Sequence, residues 1–192
     1  MSTPPVRTRR WSRAEYERMI DKGIFQPDER LELIDGELIV GEPQTPPHAV
    51  GVSLAKDALW ATFTAGCHVR ARAPVALDDA SEPEPDVSVV RGAPRDYRDA
   101  HPREPVLLVE VADASLTFDR RWKGSLYARA DVADYWILNV ADRVLEVYRQ
   151  PVRSASARYG WKYRNVRLLK SGAVVSPLAA PKARIRVADL LP

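Results

Sequence analysis

Cysteine is nearly missing from this chain: Cys67 is the only one in 192 residues. That excludes an internal disulfide and any zinc site built on several thiolates. Three histidines, His48, His68 and His101, are too few for a histidine-rich metal centre. No apolar run approaches the ~20 residues needed to cross a bilayer, and the mean hydropathy is −0.32. The opening stretch MSTPPVRTRRWSRAEYERM lacks the apolar segment of a secretory signal, so a reducing, cytoplasmic setting is expected. Neither sign of charge dominates: 29 Lys+Arg face 26 Asp+Glu, a formal net of +3. That balance excludes an acidic disordered chain and a strongly basic DNA-coating protein.

What is present is enough apolar material for one sizeable core, since 45% of the residues are hydrophobic. The length predicts a single domain over residues 1–192, with its core at about 12–150 and a basic, β-rich part at 151–192. The charge is unevenly spread. Residues 141–192 hold 11 Lys/Arg against 3 Asp/Glu, while residues 1–140 hold 18 against 23. A basic end on a slightly acidic body reads either as a surface facing a polyanion or as an edge strand protected by Arg and Lys.

The order of elements follows from local pattern. Ser12 and Glu15 form a capping-box signature that opens a helix over 13–22. Two apolar runs in Leu31–Val40 flank Asp35-Gly36, the pair preferred in a type I′ hairpin turn. Val52, Ala55, Leu59 and Phe63 recur at three- and four-residue steps and predict a helix over 48–64. Strands are expected over 68–77, 86–90 and 106–111, then a helix over 119–130. Strands over 135–140 and 144–149 follow, with weaker ones near 161–168 and 184–187. This order describes an α/β chain with a mixed central sheet flanked by helices.

Three positions stand out chemically. Glu110 interrupts the apolar run Val106–Val111, where a buried carboxylate needs a cation, a metal or a proton. A strand-end pairing with an Arg is the plainer alternative. Asp86 closes the stiff, acidic Glu82-Pro83-Glu84-Pro85 approach to a β-branched strand. By itself such a loop is a solvated connector, but with Glu110 on an adjacent strand the two carboxylates make an oxygen site for a hard cation. Lys123 shares a helix face with Leu126, Tyr127 and Ala130. It either snorkels to solvent or acts beside the carboxylates on water or on phosphate charge.

The segments Leu31–Glu37, Glu82–Asp86, Leu108–Val111, Asp119–Ala130 and Asp134–Ile137 resemble, in that order, the Uma-two family. These are restriction-endonuclease-like proteins of the PD-(D/E)xK superfamily. The resemblance implies the restriction-endonuclease-like fold and Mg²⁺- or Mn²⁺-dependent hydrolysis of DNA phosphodiester bonds. In its terms Asp86 and Glu110 are the two acidic positions and share the metal. Lys123 is the matching lysine, displaced onto the helix, because Ala112 occupies the superfamily's usual lysine position. Glu37 matches a recurrent position suited to an extra metal contact, and His48 one suited to capping a helix start. The implied partner is DNA, with RNA as a further substrate; a homodimer is expected because duplex cleavage needs two strand scissions, which a two-fold pair of sites supplies. Two alternatives share the scaffold: a catalytically inactive nucleic-acid-binding or interaction module, and a metal phosphodiesterase acting on something other than duplex DNA.

Overall fold

The computed structural model describes residues 8–26, 29–41 and 43–192. The first seven residues of the N-terminal stretch read above for a secretory signal lie outside the described residues. Helix α1 (Arg13–Asp21) opens as the capping box predicts: Ser12 accepts from the Glu15 N–H, and Glu15 reaches back to the Ser12 N–H. Strands β1 (Leu31–Ile34) and β2 (Glu37–Val40) form an antiparallel hairpin. Its turn places both Asp35 (φ 49°) and Gly36 (φ 81°) in the left-handed region, as type I′ requires.

A six-stranded mixed sheet carries the rest. Its strands are β3 (Cys67–Ala71), β4 (Val87–Arg91), β5 (Leu107–Ala112), β6 (Asp134–Asn139), β7 (Val144–Arg153) and β8 (Trp161–Lys170), in that spatial order. Only β5 and β6 run parallel, and the connection between them is a helix, α3, spanning 116–129. Strands β9 (Val174–Val175) and β10 (Ile185–Arg186) make a small separate ribbon. Helix α2 (Pro46–Thr62) is capped by Thr45 and carries proline in its first turn, where a missing N–H costs nothing.

Side chains alternate across the sheet, so each face acquires its own core. Val87, Val89, Val109, Val111, Trp136 and Leu138 pack with Val52, Ala55 and Leu59 of α2. Leu108, Ala112, Tyr135 and Ile137 pack with Leu126, Tyr127 and Ala128 of α3. The α2 contact is close at Gly51, where a Cβ would stand 2.9 Å from a Val111 methyl. Leu190 and Leu191 join the α2-side core, so the basic C-terminal part packs into the same sheet.

Two expectations change, and one alternative is set aside. The strand predicted over 68–77 ends at Ala71, because Arg72 turns left-handed (φ 48°). Helix α3 begins three residues earlier than predicted and contains a π-helical turn, Asp119–Lys123. The Glu82–Asp86 approach is no solvated connector. Glu82 exchanges backbone hydrogen bonds with Leu33, and all of its residues except Glu84 are buried.

Candidate active site

The geometry of the site begins with register. The β4–β5 ladder pairs Val87 with Val109, and one further step along it sets Asp86 opposite Glu110. Asp86 Oδ2 accepts from the Val111 N–H at 2.9 Å and pairs with His48 Nε2 at 3.1 Å. Burial pushes the Asp86 carboxyl up, but the His48 contact, the Val111 N–H and the charge on Lys123 outweigh it, leaving Asp86 below its ordinary range.

Glu110 points toward α3 and is 3% exposed. Its Oε1 accepts from Lys123 Nζ at 3.1 Å and from the Tyr127 hydroxyl at 2.7 Å. Lys123 Nζ donates equally to Glu32 Oε1 at 3.1 Å. The π-helical turn places this lysine. Its i→i−5 bond, from the Gly124 N–H to the Asp119 carbonyl, adds a residue to the turn and leaves Asp119 and Lys123 buried together. The widened turn's Asp119 carbonyl also accepts from the Tyr135 hydroxyl at 3.1 Å.

These groups line a cavity of about 490 Å³ between α2, the β1–β2 hairpin and α3. Glu32, Glu84, Asp86, Glu110, Asp113 and Asp119 face it, against the cations Arg30 and Lys123. So uneven a balance cannot stay fully ionised in a sheltered site. Burial raises Glu110 well above its usual range, with Lys123 opposing and Asp119, Asp86 and Glu32 adding. Burial likewise lifts Asp119 to about 6, against the pull of Lys123 and Ser115. Burial disfavours the Lys123 ammonium, yet the charges of Glu110, Glu32, Asp119 and Asp86 hold it protonated.

The donor set fits a hard divalent cation. Among the described residues no three His, Cys, Asp or Glu side chains converge into a ready cage. Mg²⁺ does not need one, since it is commonly held by one or two carboxylates with water and phosphate oxygens completing its octahedron. Asp86 Oδ1 and Glu110 Oε2 accept no hydrogen bond among the described residues, and the cavity carries surplus negative charge.

Of the residues singled out in the sequence, Asp86, Glu110, Lys123 and His48 are brought together. Glu37 is not. It lies on the same hairpin face as Glu32 but a two-residue step nearer the turn, about 7 Å along the strand. There it is half-exposed and 3.4 Å from Arg10. Glu32 stands in the cavity instead. His48 does not cap its helix, because Thr45 does; its ring faces Asp86, and its Nδ1 is buried without a partner. Glu32, Asp119 and Tyr127 were missed. Glu32 carried the same signal as Glu110, a carboxylate between Leu31 and Leu33-Ile34, and Asp119 sits four residues before Lys123.

Two carboxylates and a lysine thus meet beside the inner strands β4 and β5 of a mixed α/β sheet. The chain belongs to the Uma2 family: residues 13–188 match its family model, described as "Putative restriction endonuclease". The fold is shared with the crystal structure of a "putative nuclease belonging to DUF820" from Anabaena variabilis, at a TM-score of 0.67 and 13% identity, covering 94% of this chain and 97% of that one. No curated protein matches the sequence.

Proposed function

We propose that the protein is a metal-dependent endonuclease that hydrolyses DNA phosphodiester bonds. The convergence of Asp86, Glu110 and Lys123 in one acidic cavity carries this reading. Asp86 and Glu110 would hold Mg²⁺ or Mn²⁺, which when bound supplies a Lewis acid for the phosphate and an activated water. Val111 and His48 orient Asp86 and keep it ionised. Tyr127 and Lys123 both donate to Glu110 Oε1 and so fix the orientation of the carboxylate that would hold the metal. Lys123, kept protonated by its acidic neighbours, serves as fixed positive charge toward a phosphate oxygen and not as a base. Positive charge already in place costs no reorganisation as the phosphate gains charge.

The reading includes RNA as a further substrate to be tested. It also includes a homodimer, since two symmetric sites supply the two scissions of duplex cleavage; light scattering should give twice the 21.5 kDa chain mass. One observation favours the inactive nucleic-acid-binding alternative: Lys123 already bridges Glu32 and Glu110, which gives these two acids a shared counter-charge without a metal. Cleavage of duplex DNA, single-stranded DNA and RNA with and without Mg²⁺ separates the two, alongside Mn²⁺ calorimetry. Metal-dependent cutting, with Mn²⁺ binding severely weakened in both Asp86→Ala and Glu110→Ala, supports the enzyme. Nucleic-acid binding with neither cutting nor Mn²⁺ uptake supports the module.

A further inference from the structure

A second cavity, of about 520 Å³, lies across α3 from the acidic one and is opposite in character. The exposed cations Arg121, Arg158 and Lys162 line it together with Trp122, Trp161 and Tyr163. Among the described residues no acidic side chain lines it, and these three cations pair with no carboxylate. Arg120 also reaches it, but that charge is neutralised by a bidentate pair with the buried Glu146. A pocket of this size is within the range that holds a small organic ligand, about 300–1,000 Å³.

The walls are fixed before any ligand arrives. Buried Ser125 donates to the Trp161 carbonyl at 2.7 Å and accepts from the Tyr159 N–H at 2.9 Å, which ties the β7–β8 loop and the start of β8 to α3. The Arg158 guanidinium stacks 3.7 Å from the centre of the Trp122 ring. Stacking holds the cation while leaving its N–H edge for an oxyanion. Unneutralised cations select a phosphate, and an aromatic wall selects a planar ring. Single-stranded nucleic-acid sites join these two features.

We propose that this pocket binds one unpaired nucleotide of a DNA strand, its phosphate against Arg121, Arg158 and Lys162 and its base against Trp161. The proposal rests on the endonuclease reading for its location, because Trp122 and Gly124 line this pocket while Lys123 between them lines the acidic cavity. The two cavities therefore lie about one helix diameter apart, ~10 Å. At the ~3.4 Å rise per nucleotide of a duplex strand that distance is about three nucleotides, and an extended unpaired strand needs fewer. The pocket then favours substrates with single-stranded character beside the bond to be cut.

The test is fluorescence anisotropy of the full chain in chelator, using a blunt DNA duplex and the same duplex with a short single-stranded extension. The extended duplex should bind about tenfold tighter, the scale of one base–aromatic stack. Trp161→Ala should abolish that preference while leaving the blunt duplex unchanged. Arg121→Glu, a surface change, should remove the preference for the extended duplex should Trp161→Ala fail to fold, whatever it does to overall affinity. Equal affinity for the two duplexes overturns the proposal, as does a Trp161→Ala or Arg121→Glu protein that is folded and keeps the full preference. Thymidine 5′-monophosphate bound as tightly as the extended duplex also overturns it, in favour of a free-nucleotide site. A protein that keeps the preference but cuts nothing retains the pocket and loses the endonuclease reading; one that cuts but shows no preference does the reverse.

Discussion

Lys123 Nζ lies 3.1 Å from Glu110 Oε1, and both side chains are almost wholly buried. Thirteen residues separate them along the chain, and the β5–α3 connection closes that interval onto itself. The contact joins the sheet to the helix that crosses it and puts a fixed cation beside two carboxylate oxygens, Asp86 Oδ1 and Glu110 Oε2, that accept no hydrogen bond among the described residues. Its geometry depends on the π-helical turn, which buries Lys123 beside Asp119 while Arg120 and Arg121 stay exposed.

Replacing Lys123 with Met should therefore do two separable things. Turnover should fall on the order of 10²–10³, the usual cost of one oxyanion-stabilising group. Stability should fall by about 3–5 kcal/mol at neutral pH, because Glu110 and Glu32 lose the charge that offsets their burial. At acidic pH the carboxylates take up protons and the deficit should shrink. Denaturant titrations at both pH values check the second effect; equal losses at each would show that Lys123 contributes packing and not charge.

Glu32 and Glu37 supply an internal comparison. Both are acids on one face of the same hairpin, but only Glu32 lines the cavity and bonds Lys123. Glu32→Gln should lower turnover tenfold or more, since Lys123 would lose one of the two carboxylates that orient it. Glu37→Gln should leave turnover within about twofold. Reversal of that order in a metal-dependent cleavage assay would move the centre of the site to the turn.

This pair also shows how far the sequence could be read. The Asp35-Gly36 turn, the capping box of α1 and the apolar strands at Val87–Val90 and Leu107–Val111 are local signals, and the fold follows them. Asp86 and Glu110 were legible because a carboxylate beside or within an apolar strand is energetically conspicuous. Glu32 was conspicuous in the same way, but a hairpin read as an isolated unit does not reveal what its outer face will meet. His48 looked like a cap because nothing local announces a contact with Asp86, 38 residues away. A π-helical turn has no local signature, so the direction of Lys123 follows only from its contacts with Glu110 and Glu32.

Outside the cavity, Glu82 should give the protein a distinct pH signature. Its carboxyl is 2% exposed, and burial together with the nearby Glu17 charge raises it from an ordinary 4.5 to about 7, with Arg13 opposing. The folded chain holds this proton more tightly than the unfolded one. The resulting stabilisation is complete below about pH 4.5 and is lost as pH rises through 7. It amounts to roughly 3 kcal/mol at most. Glu82→Gln carries no proton to lose, so its melting temperature should exceed the parent's above pH 7 and decline less between pH 5 and 8. Parallel melting curves for the two proteins over that interval would remove Glu82 as the cause.

The basic C-terminal part divides by partner, and the division predicts its salt dependence. Arg149 pairs at 2.8 Å with Asp134, which is wholly buried, and also donates to the Ser176 carbonyl. Arg143 is held by the Pro192 carbonyl. Those two cations serve the fold. Lys162, Arg164 and Arg167 are exposed along β8 and pair with no carboxylate among the described residues. Of the aromatics interleaved with them, Tyr148 and Tyr163 are core residues, while Trp161 is only half-buried. Replacing Lys162, Arg164 and Arg167 together with Ala should flatten the log–log salt dependence of DNA binding by about 0.9 for each phosphate no longer neutralised, with little change in melting temperature. Arg149→Ala should behave inversely: the slope is kept, while stability drops by about 3–5 kcal/mol because Asp134 is left buried without its counter-charge. A triple variant with an unchanged slope would mean that these exposed charges only shield the edge strand from pairing with other chains, and that the duplex is gripped from the α2 side of the cleft.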